Sequence, residues 1–93
     1  MYYIKGHGWV RIHHSARKHG VVDEDICHAI GQAVVVMVME SGPRGRTLFV
    51  GADSTGRPLE VVTVTESDGT LSAIHAMPMR RKFERYLTQG DTT

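Results

Sequence analysis

A chain of 93 residues, 41% of them apolar, supports one domain with one modest core and places any active site in a shallow groove rather than a deep cavity. No apolar run approaches the roughly 18 residues of a membrane-spanning helix. The start MYYIKGHGWV lacks the continuous apolar region of a signal peptide, and the single cysteine, Cys27, cannot close an internal disulfide, so a cytoplasmic location is expected.

The net charge of +1 conceals a division along the chain. Residues 1–22 carry Lys5, Arg11, Arg17 and Lys18 and no acid, whereas residues 23–79 carry eight acids against Arg44, Arg46 and Arg57. Residues 80–93 return to Arg80, Arg81, Lys82 and Arg85 against Glu84 and Asp91. Basic ends that meet in the fold form a patch for a polyanion; ends that stay apart are solvated faces.

In chain order, residues 1–8 are predicted to be a flexible lead-in, and WVRIH a short extra strand or an extended entry. HSARKHG makes one or two helical turns, with Ser15 as cap and Gly20 suited to the left-handed position after a helix. In VVDEDICHAIGQA, Asp23 caps, Glu24 and Asp25 suit the positive end of the helix dipole, and Ile26, Ala29, Ile30 and Ala33 recur at helical spacing. AVVVMVME is β-branched and apolar, as in a strand covered on both faces. The turn SGPRGR, the strand TLFVGA, the turn DSTGRP, the strand LEVVTVT, the turn ESDG and the strand TLSAIHAM follow, connections short enough for an antiparallel meander of four strands. Pro78 ends pairing, and Met79, Phe83, Tyr86 and Leu87 form an apolar stripe on a closing helix. Residues 89–93 read as a tail. The expected architecture of this single domain, 1–93, is α+β: two short N-terminal helices on a twisted four-stranded antiparallel sheet, with a C-terminal helix.

Several strings resemble the BrnT toxins of the RelE/ParE-like toxin superfamily. Lys18, His19, Gly20 and Val21 match an early KHGV motif, and Glu24 and Asp25 fall in the helix that follows it. Ile74 and Ala76 match a strand end, and Glu84, Arg85 and Tyr86 approximate the pattern of the last helix. His75 and Met77 stand where that family has serine and arginine, so Arg80 or Arg81 would have to supply the missing charge. The resemblance implies a RelE/BrnT-like fold and the toxin component of a type II toxin-antitoxin system. It implies an endoribonuclease, free or ribosome-associated, that cleaves mRNA and is neutralised in a hetero-oligomer with a DNA-binding antitoxin.

The chemistry of RNA cleavage without a metal needs a base for the 2′-hydroxyl proton, cations for the pentacovalent phosphate, and an acid for the leaving oxygen. A histidine with an ordinary pKa near ~6.5 serves either proton transfer, which makes His75 the candidate catalytic group. Arg81 and Arg85, four apart on the predicted last helix, share a face suited to one phosphate or two adjacent ones. Arg80, Lys82, Lys18 and Arg17 are candidate RNA-binding cations, with Tyr86 adjacent. Plainer roles stand beside these. Alternation from Leu71 and Ala73 also makes His75 a half-buried sheet residue, Tyr86 a core ring, and His19 a helix-end cation. The histidines and Cys27 lack metal-ligand spacing, and no glycine cluster makes a phosphate loop, so neither metal nor cofactor is expected. The rival function is a noncatalytic binding module, either a degenerate toxin or a small nucleic-acid-binding regulator.

Overall fold

The structure, a computed structural model, describes residues 1–39 and 45–87. Its frame is a six-stranded sheet: β1 (Tyr2–Ile4), β2 (Gly8–Ile12), β3 (Val35–Met39), β4 (Arg46–Ala52), β5 (Pro58–Thr65) and β6 (Leu71–Pro78). The spatial order is β1-β2-β6-β5-β4-β3. Every neighbouring pair is antiparallel except β2 and β6, which run parallel with Val10 opposite Leu71 and Ile12 opposite Ala73. The hairpins close at residues able to turn. Gly6 and Gly8 hold φ of 90° and 83°, values that a side chain resists. Between β4 and β5, the Asp53 carboxylate accepts from the Thr55 hydroxyl and from the N–H groups of Thr55 and Arg57, an Asx turn that holds the corner.

Between β2 and β3 the chain crosses one face of the sheet. A 3-10 turn, His14–Arg17, leads through Gly20 (φ 79°) into α1, Asp23–Gly31. Asp23, Glu24 and Asp25 occupy the first turn of α1, where the helix dipole favours carboxylates. Ile26, Ala29 and Ile30 are fully buried and join Val10, Phe49, Leu59, Val61, Ala73 and Ala76 in the core. Burial of a side chain the size of Ile26 or Ile30 contributes about 1.5–3 kcal/mol, which fixes this face of α1 against the sheet. The contact is close at β4: a Cβ built on Gly51 would collide with the Ala29 carbonyl and reach Ala33 Cα at 3.0 Å.

The architecture corrects the expectation of a four-stranded antiparallel sheet under three helices. The sheet has six strands and is mixed. Residues 2–4, expected as flexible lead-in, form β1, because the glycines of KGHG let Tyr2–Ile4 fold back on Gly8–Ile12. The first expected helix is only a 3-10 turn, since four residues ending before Gly20 are too few to propagate an α-helix. Its cap is His13 rather than Ser15, whose hydroxyl instead donates to the Ile74 carbonyl at 2.6 Å. Val22, not Asp23, precedes the first turn of α1.

Two further expectations change. Among the described strands β3 is a sheet edge, not a strand covered on both faces: Val36 and Val38 are 56% and 71% exposed, and Val34 just before it is 75% exposed. The closing helix reduces to a 3-10 turn, Arg81–Phe83, and one α-helical turn, α2 (Glu84–Leu87), neither of which has a buried residue. The predicted stripe therefore lies half-buried at Met79, Phe83 and Tyr86 and exposed at Leu87. The tail at 89–93 lies outside the described residues, as does most of the turn SGPRGR. Among the described residues no helix is long and apolar enough to cross a membrane.

Candidate functional site

The face of the sheet opposite α1 carries the site. Val61 and Ala76 are opposed across β5 and β6 and lie in the core, so the neighbouring pairs, Val62 with His75 and Glu60 with Met77, point to the other face. A bulge makes this possible. Val62 pairs with His75 but Thr63 pairs with Ala73, which leaves Ile74 as an extra residue. Strict alternation from Ala73 would turn His75 into the core; the added residue reverses its direction, a common use of bulges beside functional groups. His75 thus leaves the face shared by Leu71 and Ala73, the face on which unbroken alternation placed it.

His75 meets a carboxylate that sequence reading passed over as part of LEVVTVT. Glu60 is completely buried, and a buried charge must be paired and hydrogen-bonded to be tolerated. Arg80 supplies most of this, with Nη2 2.6 Å from Oε2, Nε 3.0 Å from Oε1, and its own backbone N–H 2.9 Å from Oε1. His75 Nε2 lies 2.9 Å from Oε2. Burial opposes ionisation of Glu60, but the Arg80 side chain and backbone and the His75 ring outweigh it, so the carboxyl sits below its ordinary range. An ionised carboxylate only accepts; Nε2 of His75 therefore donates, and Nδ1 is left as the nitrogen able to take a proton. The His75 side chain keeps 29% exposure, and the His19 ring stands edge-on to it with centroids 5.9 Å apart. Ser15, bonded to the Ile74 carbonyl, and His13, whose N–H donates to the Ala73 carbonyl at 2.9 Å, tie the 3-10 turn to this end of β6.

The predicted cations divide into groups. Arg80 is spent on Glu60, 46% exposed but bidentate. Arg17 is bonded to Asp23 at 2.7 and 2.8 Å, and Tyr2 donates to the same carboxylate. Lys82 and Arg85 lie over aromatic rings, the first 5.0 Å from the Phe83 centroid and the second 5.0 Å from that of Tyr86. Arg85 Nη2 also donates to the Tyr86 hydroxyl at 3.0 Å, and Tyr86 stacks on Phe83 with centroids 6.2 Å apart. Lys18 and Arg81 are exposed. Arg81 belongs to the 3-10 turn and Arg85 to α2, and the tighter winding loosens the shared face expected of residues four apart.

The structure brings His75 and Arg80 together through Glu60, and His19 beside them. One signal pointed to Glu60: a lone carboxylate amid β-branched residues of a strand between two others, where an unpaired charge is not tolerated. Among the described residues no group of three or more His, Cys, Asp or Glu side chains could hold a metal ion. The sequence has no significant match to any family model, any curated protein or any solved structure.

Proposed function

We propose that this chain is a toxin-type endoribonuclease that works without a metal and is neutralised by a partner antitoxin. The observation that carries the reading is His75 held 2.9 Å from a buried carboxylate, with its side chain 29% exposed, its second nitrogen outside that bond, and cationic side chains following at once in the chain. Glu60 sets the tautomer and direction of the ring, as the carboxylate does in any carboxylate–histidine pair. Nδ1 of His75 takes the proton from the 2′-hydroxyl, whose oxygen attacks the adjacent phosphorus. The P–O5′ bond breaks, the 5′-oxygen takes a proton from solvent water, a 2′,3′-cyclic phosphate remains, and His75 returns its proton to solvent. Arg81 and Arg85 stabilise charge on the phosphoryl oxygens, Lys18 and Lys82 hold neighbouring phosphates, and Arg80 acts by fixing Glu60. RNA in the cytoplasm is the substrate, and the antitoxin masks both the cations and the bare edge of β3.

The test is RNA cleavage by purified protein. His75→Ala is expected to lose roughly a hundredfold or more, the usual contribution of a positioned acid or base, with unfolding little changed. A folded His75→Ala protein that cleaves as fast as the parent overturns the reading. A second reading, a noncatalytic module that binds a partner, draws on the exposed valines of β3, since an uncovered apolar edge invites strand addition. Growth arrest on induced expression, relieved by a neighbouring gene that encodes a small DNA-binding protein, favours the toxin; stable complex formation with no arrest favours the module.

A further inference from the structure

The face that carries His75 continues across the sheet to a second cluster that the catalytic reading leaves unused. Val10 and Ile12 of β2 are core residues, so Trp9 and Arg11 project from the opposite face, the one that holds His75. Tyr3 of β1 is directly opposite Trp9. The two rings meet edge to face with centroids 5.3 Å apart, yet Tyr3 remains 63% and Trp9 54% exposed. A cross-strand aromatic pair braces a hairpin, which accounts for the contact between the rings. It does not account for the wide exposure of both beside a guanidinium, on the face away from α1.

We infer that Tyr3, Trp9 and Arg11 form a stacking platform for unpaired bases of single-stranded RNA, leading the strand toward His75. This rests on the endoribonuclease reading for the identity of the ligand as RNA. The charge is complementary: residues 1–22 contain four cations and no acid, and the exposed Lys5 and Arg11 flank the rings. Asp68, whose carboxyl Arg11 helps to lower, lies at the end of the sheet away from His75. Aromatic rings beside basic side chains on a sheet are the general means of holding single strands without sequence preference, because every base has a face to stack. The spacing fits as well. Trp9 lies across from the start of β6, some five residues before His75, or about 16 Å at ~3.3 Å per residue. That is a few nucleotides of single strand at about 3.4 Å per stacked base.

Trp9 is the only tryptophan in the chain, so its emission reports the platform directly. The probe is a 2′-O-methyl octanucleotide containing all four bases, which cannot be cleaved. Saturable quenching of Trp9 is expected with the single strand and not with its duplex. Tyr3→Ala and Arg11→Ala should each weaken binding by about tenfold, within the range for losing one stacked contact. Trp9→Ala, followed by anisotropy of a labelled octamer, should weaken it at least as much, and Trp9→Phe should restore part of it. The platform is overturned if the octamer binds Trp9→Ala as tightly as the parent, if it does not bind at all, or if the duplex quenches equally. Failure of the catalytic reading looks different: quenching persists while neither parent nor His75→Ala cleaves RNA. Cleavage that depends on His75 but has the same KM in Trp9→Ala removes the platform and leaves the enzyme standing.

Discussion

Two carboxylates in this molecule are held in nearly the same way and differ in where they sit. Asp23, at the start of α1, accepts from Arg17 through two nitrogens and from the Tyr2 hydroxyl. Glu60, inside the sheet, accepts from Arg80 through the guanidinium and backbone and from His75. Asp23 keeps 19% of its side-chain exposure and Glu60 none. Water can replace any partner that Asp23 loses, whereas Glu60 has nothing but its partners. The same set of hydrogen bonds is thus an accessory at one place and a requirement at the other, and the requirement is what orders a titratable ring.

The contrast is sharpest on deleting the arginines. Arg80→Ala should cost about 3 kcal/mol in urea unfolding, toward the low end for breaking a buried pair because Arg80 is itself half exposed. Replacing the pair together, Glu60→Leu with Arg80→Met, should recover most of that stability while RNA cleavage stays low, since His75 has lost its acceptor. Recovery of both would show that the carboxylate has no part in positioning the ring.

Acid is the next probe. Glu60 has its carboxyl below the ordinary range in the folded chain, with burial opposing the shift and Arg80 and His75 driving it. Such a group stabilises the fold above its unfolded pKa, about 4.3, and that contribution is lost as pH falls through the lower folded value. Asp23 is likewise lowered, chiefly by its hydrogen bond to Arg17. Stability of the parent should therefore decline below about pH 4.3. Arg80→Ala should flatten the decline clearly and Arg17→Ala only slightly; equal flattening would mean that burial does not separate the two sites.

The smallest effect belongs to the exposed pair. Asp23→Asn should cost under about 1 kcal/mol, and high salt should erase most of it because the charges are screened. A loss as large as that of Arg80→Ala would place Asp23 in a structural role that its exposure does not support.

Local punctuation made part of this molecule legible in its sequence. The turns at DSTGRP and ESDG, and the helical spacing of Ile26, Ala29 and Ile30, reflect interactions within a few residues, and strands β4, β5 and β6 and helix α1 lie where those signals placed them. What was misread depends on distant partners. VVMVM has the composition of a covered strand, and only the sheet order shows that β3 stands at the edge among the described strands. His75 points away from the core because of one extra residue, Ile74, whose effect appears only in the register with Val62 and Thr63. Glu60 finds its partners 15 and 20 residues away, beyond any spacing rule. Tyr3 and Trp9 become a pair only through the hairpin turn at KGHG.

The parallel pairing of β2 with β6 also bears on when the molecule becomes competent. Val10 and Leu71, partners in that ladder, are separated by 61 positions, and closing so long a loop carries an entropic cost before any contact rewards it. Pairings of this kind slow folding. His75 lies on that last strand and His19 on the segment that β6 anchors, so the two rings come together only as the ladder closes. The contact between His19 and His75 therefore depends on long-range closure of the sheet rather than on its local hairpins.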